Sequence, residues 1–167
     1  MDKWLELFKN NDYLNVKKYI KEGFDVNACD EGGESVLACG IKAGCELDLL
    51  FLLIENGADI FHFDAEGVSI FDMAIAYGNI EMVHYLINHG IDVNKTQRRS
   101  GFTSLMAAAC YGRIEITQVL IANGANQQAV DAKGFTAADF ARKMNKKSIL
   151  NLLQYDENAP INNGYAR

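Results

Sequence analysis

Glycine recurs through this chain on a fixed beat. Gly33, Gly67, Gly101 and Gly134 stand 34, 34 and 33 residues apart. Gly23, Gly57, Gly90 and Gly124 keep the same rhythm, at 34, 33 and 34. Gly44, Gly78 and Gly112 each follow the first series by 11 residues, and Asn145 takes that place in the last copy. A period of this size marks a stacked array of repeats rather than a single globule. Each unit of such an array buries its apolar face only against its neighbours, so function has to be sought on the surface that stacking creates.

The phase of each series predicts local structure. The first glycine of a unit sits in a tight turn, and Ser35, Ser69, Thr103 or Thr136 follows two residues later. A hydroxyl there can accept from the free N–H groups of a helix's first turn. Apolar helices are therefore predicted from Val36 to Ala43, Ile70 to Tyr77, Ser104 to Tyr111 and Ala137 to Met144. The third glycine series breaks each one. Second helices follow, as in Asn79 to Ile87 and Arg113 to Ile121, with apolar residues at helical spacing. The second series ends these helices with the usual left-handed stop. Two units carry one extra residue, one between Gly44 and Gly57 and one between Asn94 and Gly101.

Turn, helix pair and the exits Gly57-Ala58-Asp59-Ile60 and Gly90-Ile91-Asp92-Val93-Asn94 closely resemble the ankyrin repeat, from residue 2 to 155. The resemblance implies an all-α solenoid of stacked helix-turn-helix units, about five helix pairs, joined by short β-hairpin-like loops. The expected units are 1–29, 30–63, 64–97, 98–130 and 131–155, in one domain, 1–155; residues 156–167 hold the only proline and are expected to form a flexible tail. The first unit lacks its turn half and opens on Asp2. The family's proline after the cap is replaced by Val36, Ile70, Ser104 and Ala137, and its histidine by Ala38, Asp72, Met106 and Asp139. Proline at the first helical position is pre-organised for the helix, so its absence predicts modest stability. Asp72 and Asp139, which take the histidine's place near the turn, are expected to accept turn N–H bonds.

Charge is split along the chain. Residues 1–94 carry 17 acidic and 6 basic side chains, while residues 95–167 carry 5 and 10. In a solenoid this becomes a dipole along the array, suited to orienting a charged partner. Arg98, Arg99, Arg113, Lys133, Arg142 and Lys143 make the second part basic, yet the rest would repel a phosphate polymer, so nucleic acid is not expected. The N-terminus is charged and does not resemble a signal peptide. The longest apolar stretch, Leu47 to Ile54, is too short to cross a bilayer. Cys29, Cys39, Cys45 and Cys110 lack paired metal spacing and read as reduced thiols. The expectation is a monomeric cytoplasmic protein, with Lys-, Asn- and Ile-leaning usage suggesting a bacterial source.

In the ankyrin family the turn tips and the exposed face of the first helix line a concave groove. By that resemblance the partner-binding residues are Glu31 and Glu34, then Phe63, Glu66, Val68 and Tyr77, then Arg99, Phe102 and Tyr111, then Lys133, Phe135 and Met144. The same positions include Lys42, Ala43, Ala65, Ala76, Ser100, Cys110, Val130 and Lys143. Five of the twenty are aromatic, and large apolar side chains at solvated turn tips mark contact surfaces. Phe102 and Phe135 are equivalent in adjacent units, as are Tyr77 and Tyr111; the alternative to contact is local packing, with the Phe rings on the neighbouring turn and the Tyr rings shielding the helix break.

Catalysis is not expected. A nucleophile needs a base in reach and a group to orient it. His62, His84 and His89 show no pairing with a Cys or Ser that the repeat geometry would create. The leading reading is non-catalytic recognition of a protein with a basic patch, without cofactor. One rival is an acidic inhibitor or immunity-type protein blocking a basic enzyme. Another is a haem or small-ligand carrier using Tyr77, Tyr111, His84, Met106 or Cys110. Self-association is left open by the sequence, with an exposed Trp4 or the tail as its candidate contributors.

Overall fold

The computed structural model describes residues 2–153. The expected tail, 156–167, lies outside them. The described residues form ten helices in pairs: α1 (Asp2–Lys9) and α2 (Tyr13–Lys21), α3 (Val36–Ala43) and α4 (Leu47–Glu55), α5 (Ile70–Tyr77) and α6 (Ile80–Asn88), α7 (Ser104–Tyr111) and α8 (Ile114–Ala122), α9 (Ala137–Lys143) and α10 (Lys147–Leu152). The odd-numbered helices pack in one row, each against the next. The even-numbered helices back them in a second row. Extended loops, here called fingers, project at residues 28–35, 62–69, 95–103 and 129–136 and lead into α3, α5, α7 and α9.

The hydroxyl caps form as the spacing predicts. Ser35, Ser69, Thr103 and Thr136 accept from the amides of Ala38, Asp72, Met106 and Asp139 at 3.1 to 3.3 Å. The carboxylates of Asp72 and Asp139 reciprocate, each accepting from the backbone N–H and hydroxyl of its own cap residue. Such reciprocal boxes satisfy two orphan donors at once. They also account for the acidic residue inside α5, which is otherwise apolar.

The predicted boundaries shift by at most one residue. Asn79 and Arg113 stand at the N-cap rather than inside α6 and α8, and α9 stops at Lys143. Asn145 is left-handed at φ 54°, as its substitution for glycine requires; Asn11 does the same in the first unit at φ 48°.

The core lies between the inner, odd-numbered row and the outer, even-numbered one, and Leu50, Leu53, Met82, Leu86 and Leu120 of the outer row are buried in it. Of the eight residues in α7, Ser104, Leu105, Met106, Ala107, Ala108 and Ala109 are all buried. Small side chains there let α5 and α9 approach from both sides. Trp4 departs from expectation. It is only 3% exposed, because α1 starts the stack and its inner face needs a large apolar cover. It stacks on Phe8 at 5.8 Å and meets Tyr19 edge-on at 4.8 Å.

Candidate protein-binding surface

Each finger is built around a turn. In three of them an aspartate braces it: Asp30 accepts from the amides of Gly32 and Glu34, Asp64 from Glu66 and Val68, and Asp131 from Lys133 and Phe135, all at 2.9 Å. In the remaining finger the equivalent residue is Arg98, which follows the inserted residue. Weaker hydroxyl contacts replace the carboxylate: Arg98 N–H donates to Thr96 Oγ1 at 3.2 Å and Phe102 N–H to Ser100 Oγ at 3.3 Å. Arg98 turns inward instead, reaching Asp72 of the preceding unit at 3.6 Å and lying over the Phe102 ring at 5.2 Å.

The aromatic residues expected to line the groove divide into two groups. Phe63, Tyr77 and Tyr111 are about half exposed, as are Val130 and Met144. Tyr77 and Tyr111 end α5 and α7 at matching positions, 47% and 53% exposed. Phe102 and Phe135 differ from the expectation. Both are half-buried and turn their rings onto Phe140 of α9, at 5.0 and 6.2 Å. Phe140 of α9 gives these rings a packing role, the alternative to contact, although their partner is a helix residue rather than the neighbouring turn. Around them, Glu31, Glu66, Arg99 and Lys133 are exposed, whereas Val68 and Glu34 are partly covered. Glu34 accepts from Lys42 at 2.8 Å, and this bond holds the Lys42 ammonium above its ordinary pKa.

Several cations expected to form a basic surface serve the fold. Arg113 donates to the Ala76 carbonyl at the end of α5, and its guanidinium lies over Gly78. Lys146 repeats the arrangement over Gly112. Positive charge at a helix C-terminus is favourable. Arg142 pairs with Asp139. The positive end of the array is therefore weaker at its surface than the residue count suggests.

The histidines also correct one expectation. His62 Nε2 lies 2.7 Å from the Gly33 carbonyl and 3.7 Å from Cys29 Sγ. A Cys and a His therefore do meet, because the finger of one unit leans on the finger before it. The contact makes no activated nucleophile: burial, followed by Asp30 and Asp25, raises the Cys29 thiol above its usual pKa. Burial pushes Cys45 to about 12. His84 is exposed on α6, and His89 closes that helix with Nδ1 2.7 Å from the Tyr85 carbonyl. Met106, offered as an axial ligand, is fully buried in the inner row. No His, Cys, Asp and Glu cluster among the described residues could hold a metal ion. No described helix is long and apolar enough to cross a membrane.

The links between units decide how these surfaces are held, and they are unequal. Asn27 donates from its side-chain amide to the Gly57 carbonyl and accepts from Asp59 N–H, both at 2.8 Å. Asn94 makes the same clasp to Gly124, at 3.0 Å, and to Asn126 N–H, at 2.8 Å. The residue in register between them is Phe61, and it cannot make the clasp. A backbone bond from finger to finger shows the same pattern. Ala65 N–H donates to Gly32 O at 3.1 Å and Ala132 N–H to Ser100 O at 2.7 Å, but no such bond joins the fingers at 62–69 and 95–103 among the described residues. Among the described residues, only the fingers at 28–35 and 62–69 close with a bridge, Cys29 to Ser35 and Phe63 to Ser69.

A family model described as ankyrin repeats (many copies) matches residues 38–87 and 71–121. The chain belongs to the ankyrin-repeat family. Curated relatives include the E3 ubiquitin-protein ligase hecd-1 of Caenorhabditis elegans, 41% identical over 119 residues, which are 70% of this chain and 4% of that protein. The E3 ubiquitin-protein ligase Ufd4 of Drosophila melanogaster is 42% identical over 88 residues, 53% of this chain and 3% of that one. The B-cell lymphoma 3 protein homolog of Mus musculus is 29% identical over 127 residues, 75% of this chain and 28% of that protein. The chain thus spans a small part of each of these relatives. All three are animal proteins, which counts against the bacterial source suggested by residue usage. Ankyrin repeats are protein–protein interaction modules.

Proposed function

We propose that this ankyrin array is a non-catalytic module whose concave face binds another protein. The observation that carries the reading is the pair Tyr77 and Tyr111, half exposed at equivalent ends of neighbouring inner helices. Exposed tyrosines side by side are what interface anchors look like. Phe63 and Met144 extend the apolar strip, and Phe102 and Phe135 stiffen its floor through Phe140. Glu31, Glu34, Glu66 and Val68 flank it on the acidic side, with Arg99 and Lys133 at the other end. The excess of acid in residues 1–94 supports a partner with a basic patch, and it equally suits the narrower reading of an inhibitor that covers a basic enzyme. The enzyme names of some relatives describe proteins of which this chain matches a few per cent, and they carry no activity to it. The reading is of a monomer acting in the cytoplasm without a cofactor.

The test is quantitative capture from the source cell at low salt, comparing wild type with the Tyr77→Ala, Tyr111→Ala double variant. The expected result is loss of a captured protein with the melting temperature held. Capture of the same protein by both forms, or a large drop in melting temperature, would overturn the reading.

A further inference from the structure

Where Phe61 replaces the clasping asparagine, a solvent-open cleft of about 350 Å³ lies between the segment that carries Phe61 and the loop from Gly90 to Gln97. Ile60, Phe61, Phe63, Phe71 and Ile91 supply its apolar lining, and Asp92 and Lys95 its charged edge. Phe61 is 57% exposed. Two backbone groups that the clasp would engage, Gly90 C=O and Asp92 N–H, make no hydrogen bond among the described residues. In the neighbouring junctions this acceptor–donor pair is filled by an asparagine side-chain amide. A backbone peptide unit offers the same N–H and C=O. Nine acidic side chains and no Lys or Arg lie between Ala43 and Lys95; exposed Asp92 lines the cleft, and exposed Asp59 precedes Ile60 of its lining.

We propose that this junction is a second docking site, separate from the concave face, for a peptide segment that places an apolar side chain against Phe61 between flanking Lys or Arg residues. The apolar side chain enters between Phe61 and Ile91, the peptide unit takes the place of the missing asparagine amide, and the basic flanks answer the acidic field of the third unit. Phe63 is the residue shared with the concave-face surface.

The probe is the peptide Ac-Lys-Lys-Leu-Phe-Lys-Lys-NH2, titrated into isotopically labelled protein and followed by amide chemical shifts. Two controls replace either every Lys by Glu or the Leu-Phe pair by Ser-Ser. Saturable shifts at Phe61, Gly90, Ile91 and Asp92 are expected for the first peptide alone, weakening as salt is added. Phe61→Ala should weaken binding roughly thirtyfold, as loss of an aromatic anchor does. Phe61→Asn should do the same while raising the melting temperature, which separates lost docking from lost folding. Tyr111→Ala should leave the titration unchanged even if the concave-face reading is correct. The proposal is overturned by equal shifts with either control, by unchanged affinity in Phe61→Ala, or by no shift at millimolar probe. It is also overturned if sedimentation shows that the cleft is filled by a second copy of the chain.

Discussion

The link from the finger at 28–35 to the finger at 62–69 and the link from 62–69 to 95–103 are built from the same repeat, yet they are held by different means. The first is clasped: Asn27 bridges Gly57 and Asp59, Ala65 bonds Gly32, and both fingers close with a bridge. The next lacks the asparagine clasp and the finger-to-finger bond. It is held instead by Arg98 on Asp72, and Gln97 approaches so closely that a Cβ on Gly67 would fall on its carbonyl. One inserted residue and one Asn-to-Phe exchange in register account for the change. In a one-dimensional array, stability is close to a sum of unit and interface terms, so a single altered junction is felt locally and leaves the other interfaces intact. The lesson is that a repeat protein can open one seam for recognition without altering its fold.

The largest effect expected from testing this contrast comes from glycine. Gly57 and Gly67 are both left-handed, at φ 92° and 79°, but a Cβ on Gly57 meets open space while one on Gly67 falls on the Gln97 carbonyl, with Arg98 N within 2.9 Å. Gly57→Ala should cost about 1 kcal/mol from backbone conformation alone. Gly67→Ala should cost about 3 kcal/mol or more, because backbone must also move. Equal losses in urea denaturation would show that Gln97 does not bear on this seam. Arg98→Ala comes next, at about 2 kcal/mol, since it strips the nearly buried Asp72 of its cation and Phe102 of its cover. Asn94→Ala removes two hydrogen bonds and should cost about 1 to 2 kcal/mol. Phe61→Asn is the smallest and has the opposite sign, a gain of about 1 kcal/mol as the missing clasp forms. A loss there would mean that the chain before the finger at 62–69 cannot bring an asparagine to Gly90.

Much of this architecture could be read before any coordinates. Three glycine series in phase specify where helices start and stop, because each marks a backbone conformation that other residues avoid. The hydroxyl caps and the carboxylates of Asp72 and Asp139 follow from spacing alone, since their partners lie within one turn. What could not be read is contact between units. The packing of Phe102 and Phe135 on Phe140 depends on how far α9 reaches toward the finger bases. Arg113, Arg142 and Arg98 counted as surface charge until their partners were seen. The meeting of His62 with Cys29 depends on the lean of one finger on another. The exchange of asparagine for Phe61 was visible in register with Asn27 and Asn94, but what an asparagine there would hold was not.

Backbone hydrogen exchange tests the unequal junctions most directly. The amides of Asp59 and Asn126 donate to Asn27 and Asn94 at 2.8 Å, whereas that of Asp92, in the same register, has no acceptor among the described residues. Slow exchange at Asp59 and Asn126 beside fast exchange at Asp92, slowed in turn by Phe61→Asn, is the predicted result. An Asp92 amide as protected in the wild type as the other two would contradict the account.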